Sequence, residues 1–288
     1  MPPIPDVSDS LAADRAAASA PVTQPRRHRV GRLVRFVGTS LVVLGVAAVA
    51  WTIVVWQWQD PFTALYTLYQ QHKLSGRYHK IAEAYRPLLA QRTRAAPTHG
   101  APVVPIAEER RLVRLDAKRY QASLRTGTPL GRIKVHRLGL NAVLVTGTDH
   151  DSLTKGPGWD ERTYVPGRGQ LIYIAGHRTT YLAPFAHIDS LRPGDLVTID
   201  VPYGRFVYRI HNHVIVPSDD LSRLRSFNRP AGTPPGEVVA LQACHPRFFA
   251  TQRYIAYAVL VRVEPKGGKP YSEKSGRALR ARPTTFQR

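Results

Sequence analysis

The stretch that decides the fold runs Leu196-Val-Thr-Ile-Asp-Val-Pro-Tyr-Gly-Arg-Phe-Val-Tyr-Arg-Ile-His-Asn-His-Val-Ile-Val216. β-branched and aromatic residues fall there in two short runs, Leu196–Val201 and Phe206–Val216. Pro202-Tyr203-Gly204 supplies the turn between them. Runs of the same texture extend outward on both sides: Arg132–Val135, Ala142–Val145, Leu171–Ala175, Val238–Ala243 and Ile255–Val263. Turn signals such as Pro193-Gly194-Asp195 separate them. Many short strands with little helix predict a mainly β domain over residues 128–264, an antiparallel barrel or sandwich.

Upstream of Gly127 the period changes. Leu65, Leu68 and Tyr69, then Ile81, Ala84, Tyr85, Leu88 and Leu89, recur at three- and four-residue spacings. The segment from Ala95 to Pro105, with Pro97, Gly100 and Pro102, interrupts this pattern, and a second amphipathic stretch follows from Ala107. Residues 59–127 therefore predict a helical stalk. Before it, Phe36 to Gln59 carries no charge, and Phe36–Trp56 is long enough to cross about 30 Å of hydrocarbon as a helix. Arg26, Arg27, Arg29, Arg32 and Arg35 precede this run and Asp60 follows it. That asymmetry predicts a single-pass anchor over residues 36–58, N-terminus cytoplasmic and C-terminal part extracellular. Trp51, Trp56 and Trp58 suit the outer interface. A cleaved signal peptide is the competing reading, since Ala47-Ala-Val-Ala50 resembles a cleavage site, but the apolar run is long for that purpose. Residues 1–35 read as a disordered cytoplasmic tail and 265–288 as a disordered basic one.

The chain of 288 residues has a formal net charge of +21, nearly all of it contributed after Asp60. In a cytosolic protein that surplus would be a footprint for nucleic acid. Outside a membrane the polyanions at hand are lipid head groups and anionic wall polymers, and solubility alone is the plainer alternative. Nucleic acid is not expected as a partner.

Cys244 is the chain's single cysteine. Exported domains use cysteines in pairs, so a lone thiol there is either a small buried hydrophobe or a nucleophile. It follows directly on the apolar run Val238–Ala243, at the mouth of a strand. His177 ends a matching run, Leu171-Ile-Tyr-Ile-Ala-Gly-His177, in which Gly176 permits close backbone approach. Arg253 lies nine residues beyond the cysteine, where a hairpin would bring it alongside. A thiolate attacks, an imidazole moves protons and a guanidinium holds a developing oxyanion. Spacing alone leaves the choice between core cysteine and nucleophile open. His211 and His213 share a face by the two-residue period and, without a third ligand, read as a solvated face rather than a metal site.

Ile174-Ala-Gly-His-Arg-Thr-Thr-Tyr181, Pro184-Phe-Ala-His-Ile-Asp-Ser-Leu191 and Leu241-Gln-Ala-Cys-His-Pro-Arg247, followed by Arg253, resemble a class E sortase of the actinobacterial type. The likeness covers roughly Gly131 to Val263. It implies an eight-stranded β-barrel and a membrane-anchored cysteine transpeptidase needing no cofactor or metal. Such an enzyme cleaves an LAxTG- or LPxTG-like sorting signal between Thr and Gly. It joins the protein to a peptidoglycan-precursor amine such as lipid II. By position the resemblance makes Cys244, His177 and Arg253 catalytic, and places Tyr181, Thr179 and Ala243 at the substrate. Ala240 and Ala243 stand where the family usually has threonine. That departure gives support to an alternative, a catalytically weak or inactive membrane-tethered module that binds wall polymer.

Overall fold

The computed structural model describes residues 27–58, 61–94, 104–225 and 236–273. Most of the two expected tails lies outside these residues. The chain divides into two units, Met1–Val54 and Val55–Arg288. In the first, α1 (Arg27–Trp58) includes Gly31–Val54, a span of 24 residues with mean hydropathy 2.2 and no buried surface. It is long and apolar enough to cross a membrane.

The second unit begins with three helices, α2 (Pro61–Ala84), α3 (Leu88–Arg94) and α4 (Ile106–Ser123). Nine strands follow. They are β1 (Pro129–Val135), β2 (Leu140–Thr146), β3 (Gly158–Trp159), β4 (Leu171–Ala175), β5 (Leu196–Val201), β6 (Gly204–Pro217), β7 (Val238–His245), β8 (Gln252–Pro265) and β9 (Tyr271–Ser272), with the single turn α5 (His150–Leu153) between β2 and β3. The sheet order is β6-β5-β1-β2-β3-β4-β7-β8-β9, and β6 also pairs with β8. That last pairing closes eight strands into a barrel and rules out the sandwich, while β9 lies outside the ring on β8. Every run read from the sequence is a strand. The two it missed, β3 and β9, have two residues each, too few for any alternation to show.

The helical region that precedes the barrel packs on it. The Tyr120 hydroxyl of α4 donates to the Leu130 carbonyl at 2.8 Å, and Val113, Ala117 and Tyr120 belong to the barrel's own apolar core. On α2, the Gln71 amide donates to the Val143 and Lys155 carbonyls, and its oxygen accepts from Val143 N–H at 2.7 Å. Thr67 and Tyr78 of the same helix donate to the Thr154 and Asp200 carbonyls. The periodicity was legible, but the partner of the apolar stripe was not.

Alternation sets the faces. Along β5 and the first half of β6, Val197, Ile199, Phe206, Tyr208 and Ile210 point inward and are buried. β6 then bulges at His211, between Ile210, which pairs with Ala258, and Asn212, which pairs with Tyr257. One inserted residue inverts the parity of all that follows. Val216 accordingly joins a second apolar cluster, on the outer side of the wall, with Leu171 and Tyr173 of β4, Val238 and Ala240 of β7, and Ile255 and Tyr257 of β8. β4 and most of β7 are therefore buried on both faces, as their unbroken apolar runs require. The bulge also corrects the reading of the two histidines. His211 is buried, and His213 stacks on Tyr254 with ring centroids 4.7 Å apart.

Candidate active site

The site is built where β4, β7 and β8 end together. β7 carries Val239, Leu241 and Ala243 into the core, so Cys244 takes the opposite, outward face with Val238 and Ala240. Its thiol is half-buried and not part of a disulfide. β8 runs antiparallel to β7 with Cys244 directly opposite Arg253, and residues so paired present their side chains on one face. The Arg253 Nη1 donates to the Ala250 and Gln252 carbonyls at 2.7 and 2.9 Å, which fixes the guanidinium at the β7–β8 turn.

On the other flank β4 runs parallel to β7, with Ala175 opposite Gln242, and the Gly176 N–H extends the ladder by donating to the Gln242 carbonyl at 3.0 Å. Two residues further along each strand stand His177 and Cys244. His177, Cys244 and Arg253 therefore stand on three neighbouring strand ends about 4.8 Å apart, with Cys244 on the middle strand.

Gly176 is obligatory for this arrangement. The chain folds back after it, with Phe185 N–H donating to the His177 carbonyl at 3.1 Å, and a Cβ on Gly176 would lie 2.6 Å from the Phe185 ring. In the returning loop Tyr181, Leu182 and Ala183 all have positive φ, 53°, 60° and 37°, a strained run for residues with a Cβ. Such strain persists only where surroundings enforce it. Here the Tyr181 N–H is held by the Thr63 hydroxyl of α2 at 3.2 Å, and its ring sits 5.0 Å from that of His177 and 6.2 Å from that of His150.

Burial pushes the His177 imidazole below its usual 6.5, and the nearby His150 adds to the effect. Its Nε2 is buried without a hydrogen-bond partner among the described residues. A neutral ring with an unmet nitrogen is suited to taking a proton and then giving it up readily.

Of the residues expected at a substrate, Tyr181 lies against His177 and Thr179 is half-buried in the same loop. Ala243 is different. It is fully buried in the barrel core, on the face opposite Cys244, so its methyl does not line the outward site. The sequence reading also gave no role to Arg178. Its buried guanidinium donates to the Cys244 carbonyl at 3.3 Å, contacts His245 Nδ1 at 3.0 Å and Asp189 at 2.7 Å, and reaches the Ala186 carbonyl. It ties the loop after β4 to the backbone of Cys244. Its place directly after His177, among so many surface arginines, offered no signal beyond adjacency.

A half-buried thiol on the middle one of three strand ends, with a histidine and an arginine on its neighbours at the rim of a closed barrel, is the arrangement of a thiol-dependent acyl-transfer enzyme. A sortase-domain family model matches residues 133–261. The chain is 31% identical over 147 residues to Sortase D of Bacillus subtilis, covering 49% of this chain and 70% of that one. It is 33% identical over 100 residues to Sortase SrtE1 of Streptomyces coelicolor, covering 34% and 28% respectively. Among solved structures it is similar to sortase E from Streptomyces avermitilis, with a TM-score of 0.46 at 27% identity over 53% of this chain and 99% of that one. The chain belongs to the sortase family of cysteine transpeptidases.

Proposed function

We propose that the chain is a membrane-anchored sortase of the class E type, with Cys244 as nucleophile, His177 as proton carrier and Arg253 as oxyanion partner. Its substrate is an LAxTG- or LPxTG-like sorting signal on a surface protein. The acceptor is an amine of a peptidoglycan precursor such as lipid II. The observation that carries this reading is the register: Arg253 stands opposite Cys244 on one side, and His177 follows the strand paired on the other.

The proton balance follows from a neutral resting imidazole. The Cys244 thiol passes its proton to His177, and the thiolate forms a bond to the Thr carbonyl carbon. Arg253 stabilises the negative oxygen. The Thr–Gly amide bond breaks as imidazolium gives its proton to the departing glycine nitrogen, leaving a thioester on Cys244. The incoming amine attacks that carbon, sulfur leaves as thiolate, and the amine's surplus proton returns to His177. Because burial favours the neutral ring, its imidazolium is a stronger acid than a free one, which suits protonation of a poor leaving group.

The same reading places α1 across a membrane, arginine-rich end in the cytoplasm and barrel outside, with the basic surface facing lipid and anionic wall polymer. Incubation of the full chain with a fluorescent LAxTG peptide and an amine tests the enzyme. The ligated product and a thioester-mass adduct are expected, and both should vanish in Cys244→Ala. Ligation that survives this substitution overturns the assignment.

A further inference from the structure

We infer that α2 is a membrane-docking helix whose outer face lies in the lipid interface and holds the active-site loop against the bilayer from the opposite side. This rests on the proposed membrane placement of α1 and goes beyond it, because an anchor alone fixes no surface of the catalytic unit.

The two faces of α2 differ sharply. Thr67, Gln71, Leu74 and Tyr78 recur at helical spacing and dock on the barrel. The opposite stripe carries Phe62, Leu65, Tyr66 and Tyr69 at positions i, i+3, i+4 and i+7, and their exposures are 72%, 68%, 45% and 63%. Five large apolar or aromatic residues within eight positions, counting Leu68 at 55%, are an unusual load for a face turned to water.

Two features choose lipid as the occupant. The stripe begins eight residues after Val54, where the apolar span of α1 ends, so the bilayer is the nearest apolar phase to which the chain delivers it. Further along, the same exposed side turns cationic with Lys73, Arg77 and Lys80, and α2 contains no acidic residue before Glu83. An aromatic first half followed by a basic second half is the pattern of a helix inclined in an interface, rings at the acyl boundary and cations among anionic head groups. The pairing partner of a second copy would more naturally be apolar along its whole length.

The consequence for the site is geometric. Thr63, near the start of α2, accepts the Tyr181 N–H, so only one helix diameter, about 10 Å, separates the lipid face from the loop that bears His177. Docking would hold the site at a fixed height and orientation over the head groups.

Single cysteines at Leu65, at Leu44 within α1 and at Lys118 on α4, each in a Cys244→Ala background of the full chain, carry a polarity-sensitive fluorophore. The proteins are reconstituted in phosphatidylglycerol/phosphatidylcholine vesicles containing a lipid nitroxide-labelled either at a shallow position, to reach Leu65, or near the bilayer centre, to reach Leu44. The Leu65 probe should lose most of its emission, as the Leu44 probe does, while the Lys118 probe keeps its own. Quenching at Leu44 with none at Leu65 overturns the docking face and leaves the anchor standing. No quenching at Leu44 removes the anchor reading itself. A Leu65 probe untouched by the lipid but blue-shifted with rising protein density assigns the face to a second copy instead, and the inference is wrong.

Discussion

Replacing Arg178 by methionine keeps the length of the side chain and removes its charge and its fork of donors. Four contacts disappear, and their burial decides their weight. Asp189 is 53% exposed, so water takes over much of the lost ion pair and that part costs about 1 kcal/mol or less. The Cys244 carbonyl and the His245 ring nitrogen sit in partly buried contacts and lose a charged donor, each at about 1–2 kcal/mol. The 3.4 Å approach to Ala186 is long and adds little. The total, about 2–5 kcal/mol, does not exceed the roughly 5–15 kcal/mol of a typical domain, so the variant should fold. Its activity should suffer more selectively, because the carbonyl of the nucleophile itself is released. A displacement near 1 Å can cost about 100-fold, so kcat should fall between about 10- and 100-fold with KM little changed. Arg178→Lys keeps a charge near Asp189 but cannot reproduce the fork, and should recover only part of the loss. Urea unfolding beside peptide-ligation kinetics measures both quantities. A stability loss below about 0.5 kcal/mol together with unchanged kcat would refute the clamp.

Two further outcomes follow from the same loop. Because burial lowers His177 below 6.5, the folded state binds fewer protons than the unfolded chain between the two midpoints. The resulting stability is therefore present above about 6.5 and is lost as pH falls through that window. An NMR titration should place the His177 midpoint below 6.5, and amine transfer, which needs the neutral ring, should fail as pH drops through it. His150→Asn should move that midpoint up by removing a like charge, and an unmoved midpoint would contradict the electrostatic part of the account. Gly176→Ala puts a methyl 2.6 Å from the Phe185 ring and should destabilise by about 1–3 kcal/mol while displacing His177. Wild-type unfolding and ligation in that variant would show that the close approach is not needed.

How much was legible depended on whether a feature was local. The strands of the barrel could be read from Val, Ile and Tyr runs because alternation and turn residues are properties of the chain itself. Cys244, His177 and Arg253 could be picked out as strand-end residues for the same reason. The faces were harder. Parity counted along Phe206–Val216 puts His211 and His213 together, and a single extra residue in β6, invisible to the pattern, buries one and stacks the other on Tyr254. Ala243 shows the same limit in reverse. The resemblance placed it at the substrate, whereas the two-residue period of β7 sends its methyl into the core. For the helical region before the barrel, an amphipathic period records that a face is covered and not by what, and for α2 and α4 the cover is the barrel.

Strand parity sets Cys244, the nucleophile of the proposed mechanism, outside a barrel whose interior is already full. Tyr208, Phe206 and their neighbours pack the lumen, so no space remains there for a peptide. The outer face of β4, β7 and β8 carries the second apolar cluster, on the same side of the wall as the thiol. Apolar burial on both sides makes β4 and β7 the stiffest part of the wall, and stiffness is what a nucleophile must borrow when water can reach it. A charge introduced into that second cluster, as in Ala240→Asp, would therefore reach the site through the strand that carries Cys244 even though it leaves all three reactive groups in place. Loss of ligation in such a variant at an unchanged fold would locate the requirement in the rigidity of the wall, whereas full ligation would show that the register of the three strand ends suffices without it.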